Sequence, residues 1–204
     1  MSSTNSSAAS ADELILEGIV LSCDAQGQLN IAPMGPRVDR QLSQFVLKPF
    51  CTSQTFRNLQ ATRAAVFHIT DDVELLSHAA VGEAKLTPPT LAIDEFPCPR
   101  VEDCCRWFAL RVATLDDSTE RAVVQCNVVS HGEVRPFFGF NRAKHAVLEA
   151  AILATRIGIL SETEIRTELD RLTIPVQKTA GDQERRAFDY LQQYVLRRLS
   201  ENRP

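Results

Sequence analysis

The chain lacks several features that would assign its class at once. No apolar run in its 204 residues approaches the ~20 residues that a membrane-crossing helix needs. The six cysteines, at 23, 51, 98, 104, 105 and 126, include no CxxC pair, and adjacent Cys104 and Cys105 are a poor pattern for structural zinc. His68, His78, His131 and His145 are scattered without ligand spacing, so no metal is expected. There is no G-x-G-x-x-G fingerprint, which argues against a dinucleotide held on a Rossmann unit. Positive charge is not in excess either. The 22 Lys and Arg against 26 Asp and Glu leave a net charge of −4, which argues against nucleic acid as a partner. The opening MSSTNSSAAS has neither a basic start nor an apolar core and does not read as a secretory signal. Residues 1–12 are expected to form a disordered tail, and reduced thiols in a cytoplasmic protein are the matching expectation.

What is present is ordinary globular composition, 44% apolar and 24% charged, with enough chain for one substantial core. Residues 14–22 are rich in Leu, Ile and Val and read as a strand. A turn at 24–27 returns the chain as a second strand over 28–32, which Pro33 should end because it has no N–H to donate. Further strands are expected over 42–47, 64–70, 104–115 and 121–130. Short helices fall at 53–63 and, with Asp71 as its cap, at 73–80. Pro88, Pro89, Pro97 and Pro99 make 87–100 a long surface excursion.

From Asn141 the apolar period changes from two to 3.6. The first helix, 142–157, is apolar nearly all round at its centre, which places it in a core or at an interface. Ser161 and Glu164 form a capping box for a second helix, which Pro175 should end. Gly181 and Asp182 open a third, with Phe188, Leu191, Val195 and Leu199 as its apolar stripe. The fold class is therefore α+β: an antiparallel six-stranded barrel followed by a helical C-terminal region.

The densest cluster of polar side chains lies between the strands at 42–47 and 64–70. Lys48, Thr52, Ser53, Gln54, Thr55, Arg57 and Asn58 could surround one small anion at the start of a helix, where unpaired N–H groups add to hydroxyl, amide and cationic donors. The same stretch also reads as a plain polar loop in which Ser53 or Thr55 caps a helix.

Three segments, NIAPMG at 30–35, TSQTFRNL at 52–59 and GFNRAKHAVLEAAILATR at 139–156, occur in the order and spacing of a known superfamily. The chain resembles the FMN-binding split-barrel proteins related to flavin reductases, in particular their DUF447 branch. The resemblance implies a split barrel over 13–138 and a helical region over 139–204. It implies FMN, with Ser53, Thr55 and Asn58 on the phosphate, Thr52, Lys48 and Arg57 supporting them, and Asn30, Met34 and Gly35 along the ring. It also implies a homodimer with the cofactor at the subunit interface, and a reduced nicotinamide or deazaflavin as electron donor. No catalytic side chain is singled out, because FMN itself carries hydride or one-electron chemistry. Two functions stay open: an FMN-dependent oxidoreductase, and a non-catalytic flavin-binding or sensing module.

Overall fold

The computed structural model describes residues 14–82 and 87–201; the tail expected over 1–12 lies outside the described residues. The chain begins with β1 (Leu14–Ile15), β2 (Gly18–Cys23), β3 (Leu29–Met34), β4 (Arg37–Val38) and β5 (Gln44–Leu47). Helix α1 (Gln54–Thr62), β6 (Ala64–Ile69) and α2 (Val73–Val81) follow. The excursion carries a small antiparallel pair, β7 (Thr90–Leu91) with β8 (Arg100–Val101). Two long strands, β9 (Arg106–Asp116) and β10 (Val123–Glu133), precede α3 (Arg142–Ala154), α4 (Glu162–Thr179) and α5 (Asp182–Glu201).

Eight strands form one curled antiparallel sheet in the order β1-β4-β5-β10-β9-β6-β2-β3, two more than expected. The difference arises near the start. The apolar run expected as one strand breaks at Leu16 and Glu17, so β1 pairs with β4 while β2 pairs with β3 and β6. Pro33 does not end pairing, contrary to expectation. It lies opposite Ile19 within β3. Because β3 is the edge of the sheet, the missing donor can face away from β2. Gly18 sits at a close strand crossing: a Cβ there would be 2.3 Å from the His68 carbonyl oxygen and 2.6 Å from the Phe67 ring.

The sheet is buried on both faces. On the inner face Val20, Phe45, Phe67 and Phe108 pack together, with the Phe45 ring 5.4 Å from Phe67 and 5.3 Å from Phe108. Helix α1 closes this side by inserting Phe56 and Leu59. On the outer face Ile19, Leu21 and Val66 meet the helical layer, including Leu75 and Leu76 of α2 and Phe188 and Leu191 of α5. The apolar α3 settles here as well. Ala143, Ala146, Val147, Ala150, Ala151 and Ala154 are buried within this one chain.

Two expected boundaries move. Asp72, not Asp71, caps α2, accepting from the Leu75 N–H at 2.9 Å. Asp71 instead accepts from Arg135 Nη2 at 2.6 Å and from the Phe138 N–H at 2.9 Å. Helix α4 continues past Pro175 to Thr179. The proline withholds one N–H from the Arg171 carbonyl, and Arg171 is an exposed position. The capping box of Ser161 and Glu164 forms as expected.

His68 anchors the excursion to the sheet. It is buried, and its Nε2 accepts the Val101 N–H at 3.0 Å while Nδ1 lies 3.3 Å from the Ile19 carbonyl. A ring that accepts at Nε2 and donates at Nδ1 is neutral. Burial, together with the charge of Arg100, lowers its pKa to about 4 against the opposing pull of the Ile19 carbonyl. A His whose folded pKa is depressed supports the fold fully above its unfolded pKa and loses that support as pH falls toward the folded value. Unfolding free energy is therefore expected to fall by about 2 kcal/mol between about pH 8 and about pH 5, where carboxylates still contribute little. Urea titrations across that range check it. His68→Gln, which cannot titrate, should flatten the decline, and a flat wild-type profile would contradict the buried neutral ring.

Candidate functional site

A cleft of ≈ 550 Å³ opens where edge strand β3 lies between α1 and the helical layer, within the roughly 300–1,000 Å³ typical of small-ligand sites. Ala32, Pro33, Met34 and Gly35 form a continuous strip of one wall. Leu76 and Ala80 of α2 and Leu148, Ala151 and Ile152 of α3 contribute apolar surface. The polar lining consists of Ser53 and Thr55 at the start of α1, the cations Lys48, Arg121 and Arg156, Glu17 and Thr155.

Local chemistry fixes the start of α1. Ser53 is its N-cap, and its hydroxyl oxygen accepts the Phe56 N–H at 3.2 Å. Thr55 is buried, and its hydroxyl accepts from Asn30 Nδ2 at 3.0 Å. Each hydroxyl accepts one bond and keeps its own proton for donation. The first intrahelical bond runs from the Arg57 N–H to the Ser53 carbonyl. The Gln54 and Thr55 amides therefore precede the helical ladder and have no intrahelical acceptor.

The loop before α1 is zipped to the hairpin between β9 and β10. The Cys51 N–H donates to the Glu120 carbonyl at 2.9 Å and the Ala122 N–H to the Pro49 carbonyl at 3.0 Å. This places the Arg121 guanidinium 4.0 Å from the centre of the Phe50 ring, and both residues line the cleft.

The α3 wall is held by ionic contacts at the opposite end of the helix. Lys144 Nζ lies 2.8 Å from Glu184 and donates to the Asp71 carbonyl at 2.6 Å. Burial pushes the Asp71 carboxyl up. Hydrogen bonds from Arg135 and Phe138, with the charges of Arg135 and Lys144, more than reverse this and hold it below the ordinary carboxylate range.

Of the nine residues proposed from sequence, Met34, Gly35, Lys48, Ser53 and Thr55 line the cleft. The other four do not. Asn30 acts behind the wall, through its bond to Thr55. Asn58 is buried with both ends of its amide engaged, donating to Ser22 Oγ at 3.1 Å and accepting from Gln54 Nε2 at 2.7 Å. Arg57 turns back to the Thr52 carbonyl at 2.8 Å and to Gln54 Oε1, leaving Thr52 engaged through its backbone. Sequence reasoning missed Arg121, Arg156, Phe50 and the α2 and α3 walls, none of which carries a local signal.

Glu17 also escaped notice. Its carboxyl lies over Gly35, where a Cβ would sit 2.9 Å from Glu17 Oε1. Burial, then the nearby charge of Glu149, raises its pKa.

The arrangement suits an elongated ligand with an apolar body and an anionic group. Among the described residues no cluster of His, Cys, Asp and Glu could hold a metal ion, and no helix is long and apolar enough to cross a membrane.

Comparison with known proteins places this fold. The FMN-bound protein MM1853 from Methanosarcina mazei, a DUF447 protein, superposes with a TM-score of 0.78 at 21% identity, over 89% of this chain and 95% of that one. A split-barrel-domain protein from Shewanella frigidimarina NCIMB 400 gives 0.51 at 11% identity, over 59% of this chain and 67% of that one. The styrene monooxygenase flavin reductase of Pseudomonas putida S12 gives 0.50 at 9% identity, over 59% and 82%. The curled sheet is thus a split barrel, followed by a helical region. Among curated proteins none matches. Residues 16–135 match the N-terminal domain of the protein family of unknown function DUF447, and residues 141–193 match a second model of that family. The chain belongs to the DUF447 family.

Proposed function

We propose that the cleft binds FMN and that the protein is a flavin reductase-like oxidoreductase. One observation carries the reading: a single cleft joins two hydroxyls at a helix start, and the lysine that follows β5, to an extended apolar wall of β3, α2 and α3. The FMN held by the M. mazei family member is consistent with it. Ser53, Thr55 and Lys48 would hold the phosphate, with Arg121 as a further cation. The strip from Ala32 to Gly35 and the apolar side chains of α2 and α3 would take the ring. In this reading the barrel at 13–138 and the helical region at 139–204 share the site. When bound, FMN supplies hydride or one-electron transfer. The chain's own contribution is to neutralise the phosphate, orient the ring and exclude water from it.

Hydrogen bonds to a charged group are worth about 1.5–3 kcal/mol each. Thr55→Ala is therefore expected to weaken FMN binding by roughly tenfold to a hundredfold, while Thr55→Ser retains most of the affinity. Flavin-fluorescence titrations of wild type and both variants with FMN and riboflavin check this. Equal wild-type affinity for FMN and riboflavin would remove the phosphate from the site.

Turnover has its own test. The FMN-loaded protein is expected to consume a reduced nicotinamide or a reduced deazaflavin in the steady state when an acceptor is supplied. Binding without consumption of either donor would favour the non-catalytic module.

Phe50 and Ile159, which border the cleft, are 41% and 80% exposed. An open apolar rim of this kind accords with a second copy of the chain packing beside the site. A homodimer is expected by light scattering at micromolar concentration, and a monomer with FMN bound would count against a shared site.

A further inference from the structure

We propose that Cys23 and Cys98 form a site of oxidative cross-linking, at which a disulfide staples the proline-rich excursion to the sheet. The two sulfurs are 2.6 Å apart and both side chains are buried, against about 2.05 Å for an S–S bond. The other four sulfurs face different atoms. Cys51 donates to the Thr119 carbonyl, Cys104 to the Val101 carbonyl and Cys126 to the Val124 carbonyl, while Cys105 meets Arg135 Nη1.

The juxtaposition is anchored on both sides. Cys23 ends β2, in register with Leu29 of β3. Three residues beyond Cys98, the Val101 N–H is fixed on buried His68, and β8 pairs with β7. Contact across 75 residues of sequence is therefore held by independent elements on each side.

The oxidant is hydrogen peroxide. Burial raises both thiols, Cys98 the further, while a hydrogen bond from Cys98 partly offsets the rise at Cys23. Either sulfur can ionise and attack, and the balance is the same with Cys23 first. The Cys23 thiolate bonds to one peroxide oxygen as the O–O bond breaks, and the departing hydroxide takes up the thiol proton as water. Cys98 sulfur then attacks the resulting sulfenic acid. The S–S bond forms, the S–O bond breaks, and hydroxide leaves with the Cys98 proton as a second water. Two thiols have lost two electrons and two protons, and peroxide has become two waters. Because both thiols are largely protonated at neutral pH, the reaction is slow and answers sustained oxidation.

The staple acts behind the candidate site. Cys98 shares a core with Leu75 and Leu76 of α2, and Leu76 lines the cleft. Cross-linking at Cys98 restrains the excursion where it packs behind that wall.

The full-length protein tests this directly. After peroxide treatment, denaturation and alkylation, four of the six thiols are expected to take label. The tryptic peptides 1–37 and 86–100, which carry one cysteine each, should appear as one linked species that a dithiol reductant separates. The thermal midpoint of the oxidised protein should rise and return on reduction. Cys98→Ser should keep all five of its thiols after the same treatment. Six labelled thiols in the treated wild type, or a link between any other pair, would overturn the assignment.

Discussion

The structure depends on a sheet that must be covered twice. Along β2 every residue is buried, with Ile19, Leu21 and Cys23 facing one core and Val20 facing the other. At roughly 25 cal/mol per Å² of apolar surface, neither face of such a strand can be left wet. Helix α1 therefore covers the inside of the curl and α2, α3 and α5 the outside. At β3, the edge, the two covers come to an end on opposite sides of one strand, whose residues are only half-buried. The cleft is the gap that they leave. Its mixed lining follows: the inner cover contributes the polar start of a helix and the outer cover contributes apolar flanks.

Helix α1 is held in this place by polar bonds as well as by Phe56 and Leu59. Asn30 bonds to Thr55, Gln54 to Asn58, and Asn58 to Ser22. Buried amides and hydroxyls need partners, and here they find them across three separate elements. The network fixes the orientation of the Thr55 hydroxyl in the cleft wall. The Lys144 contacts to Asp71 and Glu184 do the same for α3.

Much of the fold was legible because its signals are local. The change of period at Asn141, the capping box at Ser161 and the strand-rich first part each depend on neighbours within a few residues. Pro33 and Pro175 were misread because the rule that excludes proline presumes a partner for its missing N–H, and a sheet edge or a single exposed carbonyl relaxes it. Within the candidate site, sequence identified the polar stretch but could not sort it. Thr55 and Asn58 look equally suited to an anion, yet one faces the cleft and the other is satisfied internally by Ser22, 36 residues away. Arg121 reaches the cleft only through the bridge between its hairpin and Phe50, and the α2 and α3 walls arise from packing. Long-range pairing of this sort leaves no periodic trace.

The proline in β3 has one more effect. An edge strand presents a row of backbone donors and acceptors on which another chain can nucleate. At Pro33 that row has a missing rung, in the middle of the strip that lines the cleft. A foreign strand cannot pair continuously there, so the wall is shielded from sheet extension and aggregation. Contacts made by a neighbouring molecule at this edge must then come from side chains, which leaves the backbone beside the cleft to whatever the cleft holds.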